Sequence, residues 1–247
     1  MTTATETKKP AVRVRIEYDE LAISPRDPTY CEMNSEFGDW HRQASPGDEK
    51  IKDFEDVLVK VSNAGEPEQL SAWYDREEDR MRARFGLSWT QLWDGHTTPD
   101  QKASFRDLRV RLREKQIALA ERYCVFLPVY LLDHTNVKYQ TMPFGVDWDS
   151  GQVGFIWIDR AGIKAQWNWT VLTKARRDRI KASLECEIEI YSQYASGDCY
   201  YVVLEDEDGE EVDSFGGTFG TDWDTNGIKD GIPKHLHYHT KWKMPWR

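Results

Sequence analysis

Two apolar runs near the middle of the chain constrain its fold more than any other feature. Residues 124–132 read CVFLPVYLL, and residues 152–159 read QVGFIWID. Runs of this length that are rich in β-branched and aromatic residues are typical of strands buried in a sheet. Neither run approaches the ~20 apolar residues of a membrane-spanning helix. We therefore expect a soluble protein whose sheet is built around these two strands.

Three shorter patterns predict further strands. Residues 11–18 alternate apolar and charged side chains with the period of two that is typical of a half-buried strand. Residues 199–204 and 211–215 flank a turn that contains an Asp-Gly pair, which is a strong signal for a β-hairpin. Residues 234–242 alternate again and predict a last strand.

Three segments have the periodicity of helices. Apolar residues recur at helical spacing over residues 66–85, 98–123 and 170–194. Pro99 suits an early position of the second helix, and Gly197 is a natural end for the third.

These elements predict an α+β fold with a mixed or antiparallel sheet packed against helices. A loop is expected at residues 25–48, and residues 51–61 are ambiguous between helix and strand. The helices at about 66–122 are expected to form an insertion within a single domain at residues 11–247. The polar segment 1–10 is expected to be a disordered tail.

Charge and cysteine usage limit the function. The net charge of −10 argues against direct binding of duplex nucleic acid, because proteins that bind a duplex are usually basic. The four cysteines form no C-x-x-C pair, and no secretion signal or membrane segment is evident, so a cytoplasmic location is expected. No phosphate-binding loop, dinucleotide fingerprint or nucleophile elbow occurs, and we predict no cofactor.

A polar cluster flanks the two apolar runs and is the first candidate site. Its members are Asp133, His134, Asp147, Asp149, Ser150 and Gln152. Strand ends are where a rigid scaffold presents polar groups, and carboxylates beside an imidazole suit a general base or a hard metal ion. The alternative is structural, because Asp-Ser-Gly is also an ordinary turn sequence whose side chains cap backbone N–H groups.

Three histidines alternate near the C-terminus and are a weaker candidate. On a strand, His235, His237 and His239 would share one face and could contact zinc. The geometry of three ligands from one strand is poor, and a solvent-exposed face explains the pattern equally well.

The predicted hairpin turn is strongly acidic. Seven carboxylates occur within nine residues. They belong to Glu205, Asp206, Glu207, Asp208, Glu210, Glu211 and Asp213. Such a density is expected to be exposed and could steer a basic partner surface towards the protein. A solvated turn without a partner is the alternative.

Several islands of sequence together resemble a family of proteins without an assigned reaction that is encoded by bacteriophages and other bacterial mobile elements. The islands are LPxYLxDH from Leu127, WDSGQVGFI from Trp148, YxxYxxGDxY from Tyr191 and EDEDGxxxDS from Glu205. The family continues after the last island with Cys-Trp-Gly-Phe-Tyr-Gly, whereas this chain reads FGGTFG. The resemblance implies a phage or mobile-element accessory protein, and it carries over no catalytic residue.

Three functions are compatible with these features. The first is stoichiometric binding to a host protein or defence complex, as in anti-CRISPR or anti-restriction proteins, with the acidic surface imitating DNA. The second is a metal-assisted hydrolase or nucleic-acid-modifying enzyme that uses the cluster around Asp133 and Asp149. The third is a virion or assembly component.

Overall fold

The computed structural model describes residues 11–30, 33–41, 46–65, 67–86, 98–133, 137–145 and 148–237. The strands in these ranges are β1 (Arg13–Tyr18), β2 (Glu36–Asp39), β3 (Glu49–Lys50), β4 (Val125–Asp133), β5 (Val137–Gln140), β6 (Ser150–Ile158), β7 (Cys199–Glu205) and β8 (Glu211–Phe219). The helices are α1 (Phe54–Gly65), α2 (Pro67–Phe85), α3 (Pro99–Tyr123), α4 (Arg160–Trp167), α5 (Lys174–Ala195) and α6 (Ile228–Gly231), followed by a 3₁₀ turn at Lys234–Leu236. The predicted α+β class is confirmed.

The chain divides into two compact units. Unit 1 comprises Met1–Glu32, Leu131–Gly151 and Cys186–Arg247, and unit 2 comprises Met33–Tyr130 and Gln152–Glu185. The elements at 67–85 and 99–123 are helical, as the periodicity predicts. That they are an insertion in a single domain stays a prediction.

Unit 1 contains a three-stranded antiparallel sheet in the order β1-β7-β8. The alternation at residues 13–18 buries Val14 and Ile16, and Ile16 lies opposite Val202 of β7. Both side chains join a core with Tyr200 and Leu204. The first strand and the hairpin are therefore confirmed.

The second sheet has the order β3-β2-β6-β4-β5. It is mixed, because β2 is antiparallel to β6 and parallel to β3. The two apolar runs are β4 and β6, as predicted. In unit 2, Trp157 of β6 packs with Val57 and Leu58 of α1 and with Leu119 of α3. The ambiguous segment at 51–61 is largely helical, since α1 begins at Phe54.

Strand β2 corrects the prediction of a continuous loop at residues 25–48. Its sequence EFGD lacks an alternating pattern, yet Phe37 and Asp39 are fully buried. A Cβ at Gly154 of β6 would overlap the carbonyl oxygen of Gly38, so the two backbones approach closely. The strand therefore depends on tertiary contacts with β6, which local sequence does not reveal.

The predicted strand at residues 234–242 is wrong in its described part. Pro233 precedes the 3₁₀ turn, and Leu236 is buried in the unit 1 core beside Ile232. A tight turn brings this leucine into the core, whereas the alternation suggested an extended chain. Residues 238–242 lie outside the described ranges. Among the described helices, none is long and apolar enough to cross a bilayer.

We expect Gly154→Ala to destabilise the protein by at least about 2 kcal/mol, because the added methyl group meets rigid backbone instead of a movable side chain. Chemical denaturation followed by circular dichroism measures this change. Gly151→Ala, in the same strand, is the matched control, since a Cβ there meets no atom within 4 Å. Equal unfolding midpoints for the two variants would contradict the close approach of β2 and β6.

Candidate functional site

The polar cluster at the ends of β4 and β6 is partly assembled. The backbone N–H of Asp133 donates a 2.8 Å hydrogen bond to the carbonyl of Asp149, and both side chains are exposed. Asp133 is the last residue of β4 and Asp149 immediately precedes β6, so these two members lie at the same end of neighbouring strands. His134 and Asp147 lie outside the described residues.

The other two members of the cluster lie in β6. Ser150 is the first residue of that strand. The side-chain amide of Gln152 donates a 3.4 Å hydrogen bond to the carbonyl of Gly154 in the same strand. Within the described ranges, no group of three His, Cys, Asp or Glu side chains is placed to hold a metal ion.

The histidines near the C-terminus do not share a strand face. His235 lies in the 3₁₀ turn, with its Nε2 3.3 Å from the carbonyl oxygen of Ala11. The Nε2 of His237 lies 3.0 Å from the carbonyl oxygen of Ile232. Both rings therefore contact backbone, which corrects the expected geometry. His239 lies outside the described residues.

Two of the seven hairpin carboxylates have structural roles, which corrects the expectation that all are exposed. Asp206 is 3% exposed, and its Oδ1 accepts hydrogen bonds from the N–H groups of Asp208 at 2.9 Å and Glu210 at 3.0 Å. Glu205 accepts a 2.9 Å hydrogen bond from Nε of Arg15 on β1. Asp206 therefore fixes the turn, and the ion pair of Glu205 joins β7 to β1.

The remaining hairpin carboxylates form what we call the acidic tip. Its members are Glu207, Asp208, Glu210, Glu211 and Asp213. All five residues are exposed. Because the turn beneath them is held by Asp206, their backbone positions are fixed.

A second charged surface, which was not predicted from the sequence, lies in unit 2. A pocket of about 410 Å³ opens where α3 ends, α4 begins and the segment 169–172 passes. Its lining includes Arg122, Tyr123, Arg160, Ile163, Trp169 and Arg177. We call this the arginine pocket. Two more arginines, Arg176 and Arg179, stand over the ring of Trp169.

Aromatic rings position most of these guanidinium groups. Those of Arg122 and Arg160 lie 5.2 and 5.5 Å from the ring centroid of Tyr123. Those of Arg176 and Arg179 lie 5.0 and 5.7 Å from the ring of Trp169. Cation–π attraction of this kind restricts the side chains but leaves the N–H edges of a guanidinium able to donate.

Arg177 has a different role, because it caps α3. Its Nη1 donates to the carbonyl of Cys124 at 3.1 Å and its Nη2 to the carbonyl of Arg122 at 3.2 Å. These acceptors lie at the helix C-terminus, where a cation is favourable.

Burial raises the pKa of the Cys124 thiol to about 12, and the charge of Asp159 adds to the shift. Cys124 is 1% exposed and its Sγ donates a 3.5 Å hydrogen bond to the carbonyl of Val61, so it is a packing residue.

The sequence contains a local signal for the arginine pocket. Residues 160–181 include seven Lys or Arg and one acidic residue, together with Trp167 and Trp169. Basic residues interleaved with aromatics are typical of surfaces that bind anions. The signal is easily lost when charge is averaged over the whole chain, whose net charge is −10.

Comparison with protein-family models, with curated proteins and with solved structures finds no match to this chain. The chain's own residues are therefore the basis for assigning its function.

We expect Asp206→Ala to destabilise the hairpin by about 1–3 kcal/mol, since two turn N–H groups lose their acceptor. Hydrogen exchange of the amides of Asp208 and Glu210, together with thermal unfolding, measures the loss. Glu207→Ala, at the exposed neighbouring position, is the control and should leave both unchanged. Unaltered exchange in the Asp206 variant would show that this carboxylate does not hold the turn.

Proposed function

We propose that this protein is a phage or mobile-element accessory protein that binds a host protein or defence complex stoichiometrically in the bacterial cytoplasm. We assign the acidic tip as its contact surface. The observation that carries this proposal is that Glu205 and Asp206 stabilise the hairpin through hydrogen bonds, whereas five further carboxylates of the same hairpin remain exposed.

A fixed hairpin suits binding by charge. Carboxylates whose backbone is already ordered lose less conformational entropy on association than those of a flexible tail. On β8, Glu211 and Asp213 are both exposed, and Val212 between them packs against the unit 1 core. A row of negative charge of this kind attracts a basic surface and can occupy one that otherwise binds DNA phosphates.

Neutralising the acidic tip tests the proposal. We expect a variant with Glu207→Gln, Asp208→Asn, Glu210→Gln, Glu211→Gln and Asp213→Asn to fold normally and to lose the function. The measurement is the efficiency of phage plaquing on hosts that carry a restriction or CRISPR system and express the protein. The wild type should raise plaquing at least about tenfold, and copurification with the defence complex should show a fixed stoichiometry.

The matched control changes net charge equally at exposed carboxylates elsewhere. It contains Glu68→Gln, Asp75→Asn, Asp79→Asn, Glu114→Gln and Glu189→Gln. It should retain both plaquing and complex formation. Equal loss in the control would assign the effect to net charge alone, and no effect of the wild-type protein on any defence-positive host would contradict the proposal.

A metal-assisted hydrolase is the second candidate, because the hydrogen bond between Asp133 and Asp149 brings two carboxylate-bearing residues together at one sheet end. Hard cations such as Mg²⁺ prefer oxygen ligands. His134 and Asp147 would have to complete such a site. This second candidate requires that Asp149 takes part in the reaction and does not stabilise the fold.

For this second candidate, Asp149→Ala should abolish Mg²⁺- or Mn²⁺-dependent cleavage of nucleic acid and weaken cation binding by calorimetry, with an unchanged circular dichroism spectrum. Asp75→Ala, an exposed carboxylate in α2, is the control. Equal activity and cation binding in the Asp149 variant would eliminate the hydrolase.

A further inference from the structure

We propose that the arginine pocket binds single-stranded nucleic acid, with phosphate groups on its guanidinium groups and a base against its aromatic and apolar wall. This site is separate from the acidic tip and independent of the function proposed for it. The ligand class follows from charge, from the geometry of the arginines and from the composition of the wall.

The local charge favours an anion. Residues 160–181 carry a net charge of +6, from seven basic residues and one acidic residue, in a chain of net charge −10. Concentrating cations in one segment of an acidic protein produces a local positive potential that the net charge conceals. A polyanion gains more from such a patch than a neutral ligand does.

In the described part of the chain, no carboxylate neutralises the arginines of this surface by an ion pair. Within the described ranges, Arg122, Arg160, Arg176 and Arg179 form no ion pair. The acidic residues nearest to them in sequence are Glu121, Asp159 and Asp178, which also form no ion pair with a described residue. Four guanidinium groups therefore keep charge and donors for a ligand, and such donors match phosphate oxygens well.

The wall of the pocket suits a base. Its lining includes Tyr123, Ile163, Trp169 and Leu172, of which Tyr123 and Ile163 are buried. The volume of about 410 Å³ lies within the range of roughly 300–1,000 Å³ that is common for small-molecule sites. The ring of Trp169 stacks on that of Trp167 at 5.3 Å and lies beneath two guanidinium groups, so a base stacks on the guanidinium planes and contacts the edges of the rings. Stacking of this kind is tolerant of sequence.

The positive charge and the concave wall together favour single-stranded over duplex nucleic acid. A base can enter a concave wall only when it is unpaired, because a duplex presents phosphates outside and keeps its bases stacked. The acidic remainder of the chain also repels the denser charge of a duplex. The prediction from composition that duplex nucleic acid is not bound is compatible with this site.

Capping of α3 explains only part of the cluster. Arg177 makes both hydrogen bonds to the helix end, and Arg176 donates through Nη1 to the carbonyl of Val171 at 2.8 Å. The side chains of Arg160 and Arg179 form no hydrogen bond to a described residue. Their substitution removes one cation–π contact each and should therefore affect ligand binding more than stability, which separates the two roles.

Fluorescence anisotropy with a fluorescein-labelled 15-nucleotide oligothymidylate at low salt tests the proposal on the full chain. We expect saturable binding, with Arg160→Gln and Arg179→Gln each lowering affinity roughly three- to tenfold. Four phosphate contacts predict a slope of about −2.8 for the logarithm of affinity against that of salt, and each substitution should reduce it by about 0.7. Arg160→Lys should retain most of the slope. Thermal unfolding should change by no more than the loss of one cation–π contact explains.

The control is the double variant Arg76→Gln, Arg106→Gln, which removes two exposed arginines of α2 and α3 without an ion pair to a described residue. It should bind as the wild type does. Equal loss in this control, absence of binding at low salt, or a 15-base-pair duplex that binds as tightly as the single strand would each overturn the proposal. So would thymidine monophosphate that competes as well as the oligonucleotide, because the ligand would then be a free nucleotide.

Discussion

The fold of unit 2 depends on a buried carboxylate at the end of β2. Asp39 is fully buried and accepts hydrogen bonds from the backbone N–H of His41 at 3.0 Å and of Gly47 at 3.1 Å, and it forms an ion pair with Lys50. A charge in this position without partners would cost several kcal/mol, so the surrounding chain must supply donors. The hydrogen bonds and the ion pair to Asp39 hold the segment after β2 against this strand, and β3 pairs with β2. The sheet that carries α3, α4 and the arginine pocket is completed in this way.

The sequence predicts the elements whose signals are local. Long apolar runs identify β4 and β6, and an Asp-Gly turn between strand-like segments identifies the hairpin, because burial and turn geometry there follow from neighbouring residues. Strand β2 escapes prediction, since its burial comes from the approach of Gly154 and from the partners of Asp39. The alternation near His235 predicts a strand that does not form in the described residues 234–237. An alternating sequence becomes a strand only beside a partner strand, and this segment forms a 3₁₀ turn instead.

The charged surfaces show the same limit. The acidic hairpin is evident from composition, and Asp206 and Gly209 have the spacing of the first and last residues of a turn, but the burial of Asp206 beside the exposed Glu207 is not evident. Only the folded turn assigns one to structure and leaves the other for binding. The arginine pocket is hidden for another reason, since opposite charges in distant segments cancel in a net value. Charge read in windows of about 20 residues would have indicated both surfaces, although not the rings of Tyr123 and Trp169 that position the arginines.

The two hydrogen bonds from Arg177 have a consequence for local unfolding. Helix ends normally fray, and their amides exchange with solvent before the rest of the helix opens. Here the last turn of α3 is fastened by a side chain from the first turns of α5. Fraying of α3 at this end therefore requires release of the Arg177 side chain. Hydrogen exchange at the last turn of α3 thus depends on a residue of α5, although more than 50 residues separate the two in the chain.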